Sequence, residues 1–90
     1  MRKLIRANGE ERELHGPLDT KQITELIGAS VLDTVLLVDR VHVMLLDDLG
    51  YHKELPVNAK ATVLYLKKCK PGTTHVIRGD VVVVPDEDFA

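Results

Sequence analysis

The sequence predicts an α+β domain: a mixed or antiparallel sheet of four to six strands with two helices packed on one face. Three observations lead there. Residues 31–38 and 41–46 are β-branched-rich runs separated by Asp39-Arg40, and residues 81–84 are four consecutive valines. Two further segments, 20–27 and 59–69, carry the start and stop signals of short helices. Ninety residues leave room for one core, so the chain 1–90 is expected to be a single domain with an acidic tail from about residue 86.

Residues 2–7 mix apolar and charged side chains as a short strand does, and Asn8-Gly9 suits a type I′ hairpin turn. The returning segment, 10–15, has Leu14 as its only large hydrophobe. Its run Glu10-Glu11-Arg12-Glu13 fits a sheet edge that must not pair with other chains. Gly16-Pro17 breaks that pattern, and Asp19 with Gln22 has the spacing of a capping box. The helix 20–27 that follows places Leu18, Ile23, Leu26 and Ile27 on one face, and Gly28 can close it in the left-handed conformation.

The β-branched-rich runs 31–38 and 41–46 should be the central strands, and in 41–46 neither face is strongly polar, which predicts cover on both. Asp47-Asp48-Leu49-Gly50 reads as a turn and 51–55 as a short extended return. Pro56 holds Leu55 out of the helical region, Val57 is placed to staple the next helix, and Asn58 is its N-cap. That helix, 59–69, is apolar around most of its circumference, which predicts cover on more than one side and hence a possible homodimer contact. Lys67, Lys68 and Lys70 favour its C-terminal dipole, and Pro71-Gly72 stops it. Residues 75–78, a turn at Gly79-Asp80 and the valine run then make a final strand pair.

The charge balance, 12 basic and 14 acidic side chains for a net −2, argues against nucleic-acid binding, as do only three aromatic residues for stacking on bases. No apolar run reaches the ~20 residues of a membrane span. The N-terminal Met1-Arg2-Lys3-Leu4-Ile5 does not continue into a signal-peptide apolar region, so a cytoplasmic protein is expected.

Chemistry is sparse. His15, His42, His52 and His75 lie on different elements without ligand spacing, so no metal is assigned. Asp47 and Asp48 read as turn formers, Cys69 lacks a base or a recognisable triad, and Ser30 has no nucleophile-elbow context. No catalytic residue and no cofactor follow. The segment Lys67-Lys68-Cys69-Lys70-Pro71-Gly72-Thr73-Thr74 is the nearest thing to an anion site, with Lys67, Lys68, Lys70, Thr73 and Thr74 as its groups. It lies at a helix C-terminus, whose dipole repels anions. Asn58, at a helix N-terminus, is a second candidate.

Leu26-Ile27-Gly28, the strands within 31–46, Leu55-Pro56-Val57-Asn58-Ala59-Lys60-Ala61-Thr62 and Ile77-Arg78-Gly79-Asp80-Val81-Val82-Val83-Val84 together resemble DUF3846. That is an uncharacterised family of small domains from phages, prophages and plasmids. The resemblance covers about residues 14–85 and is most specific at 55–62 and 79–84. The loop 50–54 departs from the family pattern, and 69–75 resembles an insertion. The resemblance implies a mobile-element setting and brings no catalytic residues. The resulting expectation is a non-enzymatic interaction module with a protein partner, possible homodimerisation through 59–69, and no membrane. The alternative is a small-molecule or nucleotide binder of the anti-defence type, using the 67–74 loop or Asn58.

Overall fold

Val81, Val82, Val83 and Val84 are each no more than 1% exposed, so both faces of the strand they form must be covered. The computed structural model, which describes residues 2–89, shows how. Strands β1 (Lys3–Ile5), β2 (Glu11–Glu13), β3 (Leu32–Leu36), β4 (His42–Asp47) and β5 (Val81–Pro85) form one sheet in the order β2-β1-β5-β4-β3. Every pairing is antiparallel. Helices α1 (Thr20–Ile27) and α2 (Ala59–Leu66) complete the α+β architecture, with a 3₁₀ turn at Asp86–Phe89.

The helices lie on opposite faces, which corrects the expectation of one helical face. Alternate residues of a strand point to opposite sides. Val82 and Val84 join Leu4, Val43 and Leu45 beneath Ile23 and Ile27 of α1. Val81 and Val83 join Ile5, Met44 and Leu46 beneath Ala61, with Leu64 and Tyr65 of α2 packed against them. One helix over each side is what a strand of four buried valines requires. Each fully buried valine contributes roughly 1.5–3 kcal/mol by transfer.

The strand order corrects the expectation that 31–38 is central, while 41–46 does lie inside the sheet as β4, paired with β5 on one side and β3 on the other. The late strand β5 inserts between β1 and β4, so it takes the centre, and β3 becomes an outer strand. Residues 75–78 form no strand; Arg78 makes a single antiparallel bridge to Val57. Residues 51–55 turn rather than extend, with the Lys53 amide donating to the Leu49 carbonyl and Glu54 at φ 54°. At the first hairpin Gly9 alone takes positive φ, 95°. The Gly9 amide donates to the Arg6 carbonyl and the Arg6 amide to the Glu10 carbonyl, so this is a three-residue loop with a glycine bulge instead of a type I′ turn.

Helix α1 follows its sequence signals closely. The Asp19 carboxylate accepts from the Gln22 amide at 2.8 Å, the Gln22 side chain accepts from the Asp19 amide at 3.0 Å, and Gly28 closes the helix at φ 69°. The acidic run at the end is pinned to the sheet: Arg2 Nε and Nη2 both donate to the Asp88 carboxylate at 2.8 Å. This fork ties the start of β1 to the turn that follows β5.

Two surface carboxylates connect this architecture to pH. Hydrogen bonds from Lys3 and Lys60 hold Glu11 down to about 2, and the backbone amides of His42 and Val41 with the His42 ring do the same for Asp39. Both pKa values are depressed on folding, so these groups stabilise the fold above the ordinary carboxylate range, and their contribution is lost as pH falls from about 4.5 towards 2. Acid titration of stability by circular dichroism is expected to show a decline across that window. Glu11→Gln is expected to make the decline shallower; an unchanged profile would contradict the assignment of Glu11.

Candidate functional site

Asn58 is 1% exposed, and its polar groups are engaged inside the fold. Its Oδ1 accepts from the Ala61 amide at 3.0 Å, which is the N-cap bond. Its Nδ2 donates to the Ile5 carbonyl at 3.0 Å and the Gly79 carbonyl at 2.9 Å. Its backbone amide donates to the Ile77 carbonyl, and the Thr62 hydroxyl donates to its carbonyl at 2.8 Å. Thr62 Oγ1 in turn accepts from the Ile77 amide at 2.9 Å. Both Nδ2 protons are spent, so this side chain has no donor left to present to a ligand.

The Gly79 amide donates to the Pro56 carbonyl, and a Cβ at Gly79 would stand 2.8 Å from Leu55 Cδ1, on a backbone with φ 84°. Thus residues 55–62 and 79–84, far apart in the chain, meet around one asparagine. Val57 is 43% exposed and makes an antiparallel bridge to Arg78.

Helix α2 ends at Leu66, three residues short of the expected 59–69, and a turn covers 67–69. Its inner face is spent on the sheet. Outward it offers Val63, 55% exposed, and the exposed Ala59, Lys60 and Lys67. Lys67, Lys68 and Lys70 are exposed, and the Thr73 hydroxyl donates to the Lys70 carbonyl at 2.8 Å. Asn58 and these lysines stand at opposite ends of α2, roughly 12 Å apart along its axis, so the two anticipated ligand positions form no common site.

Thr74 does line a cleft of about 380 Å³, with Asp33, Asp48, Tyr51, His75 and Arg78 around it. Arg78 Nη1 donates to the Leu55 carbonyl at 3.0 Å and its guanidinium carbon sits 5.8 Å from the centre of the Tyr51 ring. Arg78 Nε is buried without a hydrogen-bond partner. The third carboxylate of the cleft, Asp47, accepts from Lys53 Nζ at 2.7 Å and from the Leu49 amide at 2.8 Å. Carboxylates outnumber the one guanidinium, which disfavours a phosphate ligand. His42 is paired with Asp39 at 2.7 Å, and among the described residues no three His, Cys, Asp or Glu side chains converge as metal ligands would. Cys69 Sγ donates to the Tyr65 carbonyl at 3.3 Å.

The two sheet edges differ. In β2 the alternation of bonds, with the Leu14 amide on the Arg2 carbonyl, turns the backbones of Glu11 and Glu13 outward. That edge is acidic, and Glu11 is tied down by Lys3 at 2.7 Å and Lys60 at 2.8 Å. In β3, the Leu37 amide on the His42 carbonyl and the Asp48 amide on the Val31 carbonyl fix the opposite alternation. Odd residues face β4, and the backbones of Leu32, Thr34 and Leu36 face outward. Beside them Val31, Leu36, Val38 and Val41 are 50%, 42%, 59% and 55% exposed. Leu36 lies opposite Val43 in the register, and Val38 and Val41 belong to the turn that joins β3 to β4. The sequence concealed this site because an apolar strand reads as central.

Comparison of the chain with family models, with curated proteins and with solved structures gives no match.

The seat of Asn58 predicts the response to its loss. Asn58→Ala removes the N-cap and leaves the buried Ile5 and Gly79 carbonyls without their donor, an expected cost of about 2–4 kcal/mol in urea unfolding. Gly79→Ala is expected to destabilise as well, through its positive φ and the close Leu55 side chain. A loss below 1 kcal/mol in Asn58→Ala would show that these bonds are dispensable.

Proposed function

We propose that the protein is a non-enzymatic interaction module that docks a protein partner along the free edge of β3. The observation behind this reading is the contrast between the edges: Glu11 and Glu13 guard one, whereas Leu32, Thr34 and Leu36 turn their backbones outward on the other. Exposed edge strands invite strand addition, in which main-chain bonds supply affinity and alternate side chains supply specificity. The residues 55–62 and 79–84 that resemble DUF3846 surround Asn58, so the shared pattern fits a folding role, with function carried by surfaces outside it. On the same reading the protein works in the cytoplasm of a host that carries a phage or plasmid.

Small-molecule binding is the second reading, and the cleft beside Arg78 favours it over the lysine loop or Asn58. Its excess of carboxylates points away from nucleotides.

Capture from host extract compares the two edges. Wild type and Arg12→Glu, altered on β2, are expected to retain the same partner, while Leu36→Lys, altered on β3, is expected to lose it at least tenfold. Equal capture by Leu36→Lys would remove the edge from consideration.

A further inference from the structure

We infer that the β3 edge pairs with a second copy of this chain, forming a weak antiparallel dimer centred on Thr34. The inference deepens the docking reading above and rests on it. Complete overlap of the five-residue strand Leu32–Leu36 with a twofold copy requires its middle residue to lie on the axis. Thr34 is that residue, and its backbone already faces outward, so the alternation of bonds and the centre of symmetry coincide.

The side chains agree with this register. Leu32 comes opposite Leu36 of the copy, an apolar pair, and Thr34 opposite Thr34, a favourable cross-strand pair. Asp33 comes opposite Val35, so no two like charges are directly opposed. A Glu11–Glu13 edge could not pair with itself in this way.

One guard opposes the dimer. Asp33 Oδ1 accepts from the outward Thr34 amide at 2.9 Å, and pairing must displace it. The two Asp33 carboxylates then lie diagonally across the seam. The strand is roughly 17 Å long, too short alone for the ~800 Å² per partner of a stable dimer. The dimer is therefore weak and forms only at high protein concentration.

Sedimentation equilibrium of the full chain from about 10 μM to about 1 mM tests this. The mass is expected to rise with concentration from 10.0 kDa towards twice that value. Asp33→Ala is expected to tighten association several-fold, since it removes the guard and the diagonal repulsion. Leu36→Lys, at an exposed position and with an unchanged circular dichroism spectrum, is expected to remain monomeric, whereas Val63→Lys on α2 dimerises as wild type does. A wild type that stays at 10.0 kDa throughout overturns the inference, as does association that survives Leu36→Lys or is lost in Val63→Lys. A monomeric wild type that still captures a partner through β3 ends the self-pairing and leaves the interaction reading standing. Absence of both ends both.

Discussion

The buried amide of Asn58 is the interaction on which the rest of the arrangement depends. A two-turn helix has almost no stability alone, and of α2 only Ala61 and Thr62 are buried. Its place on the sheet is therefore fixed by polar bonds as well as by packing. One side chain caps the helix, satisfies the Ile5 carbonyl at the end of β1 and satisfies the Gly79 carbonyl just before β5. With the Thr62 hydroxyl bridging to Ile77, the network joins the first strand, the second helix and the approach to the last strand. In a buried setting each of these bonds stabilises chiefly because leaving its partner unmade is costly.

That clamp places β5. The chain leaves Gly79 with its carbonyl held on Asn58 and runs straight into Val81, between β1 and β4. Once β5 holds the centre, its alternating valines require cover on both sides, and α1 and α2 divide between the faces. The hairpin of β3 and β4 is pushed outward, and β3 is left with nothing beyond it among the described residues. The polar motif around Asn58 is thus spent inside the fold, and β3 is the strand that the topology leaves unpaired on one side among the described residues.

Much of the local structure was legible because local signals are sufficient for it. Asp19, Gln22 and Gly28 bound α1 by chemistry that acts within a few residues, and Asn58 caps α2 in the same way. The end of α2 was less legible: residues 67–69 have helix-compatible side chains, yet the backbone turns there. What the sequence could not show was long-range order. Residues 31–38 and 81–84 are both β-branched-rich, and composition does not tell which lies at the centre and which at the edge. The helical faces were hidden for the same reason, since Val81–Val84 carries no polar residue to mark a solvent side. The lysines at 67, 68 and 70 and Asn58 are separate candidates in the sequence, and the fold puts them at opposite ends of one helix.

The clamp is tested most directly by native-state hydrogen exchange on dilute wild-type protein, where self-association is absent. The amides of Ala61, Ile77 and Gly79, which donate within or beside the Asn58 network, are expected to exchange only with global unfolding, at the same free energy as Val82 in the central strand. The outward amides of Leu32 and Leu36 are expected to exchange much faster. Exchange of Ala61, Ile77 and Gly79 through a smaller opening, with Val82 still protected, would contradict the account, because α2 would then be an attachment to the fold instead of one of its fixed points.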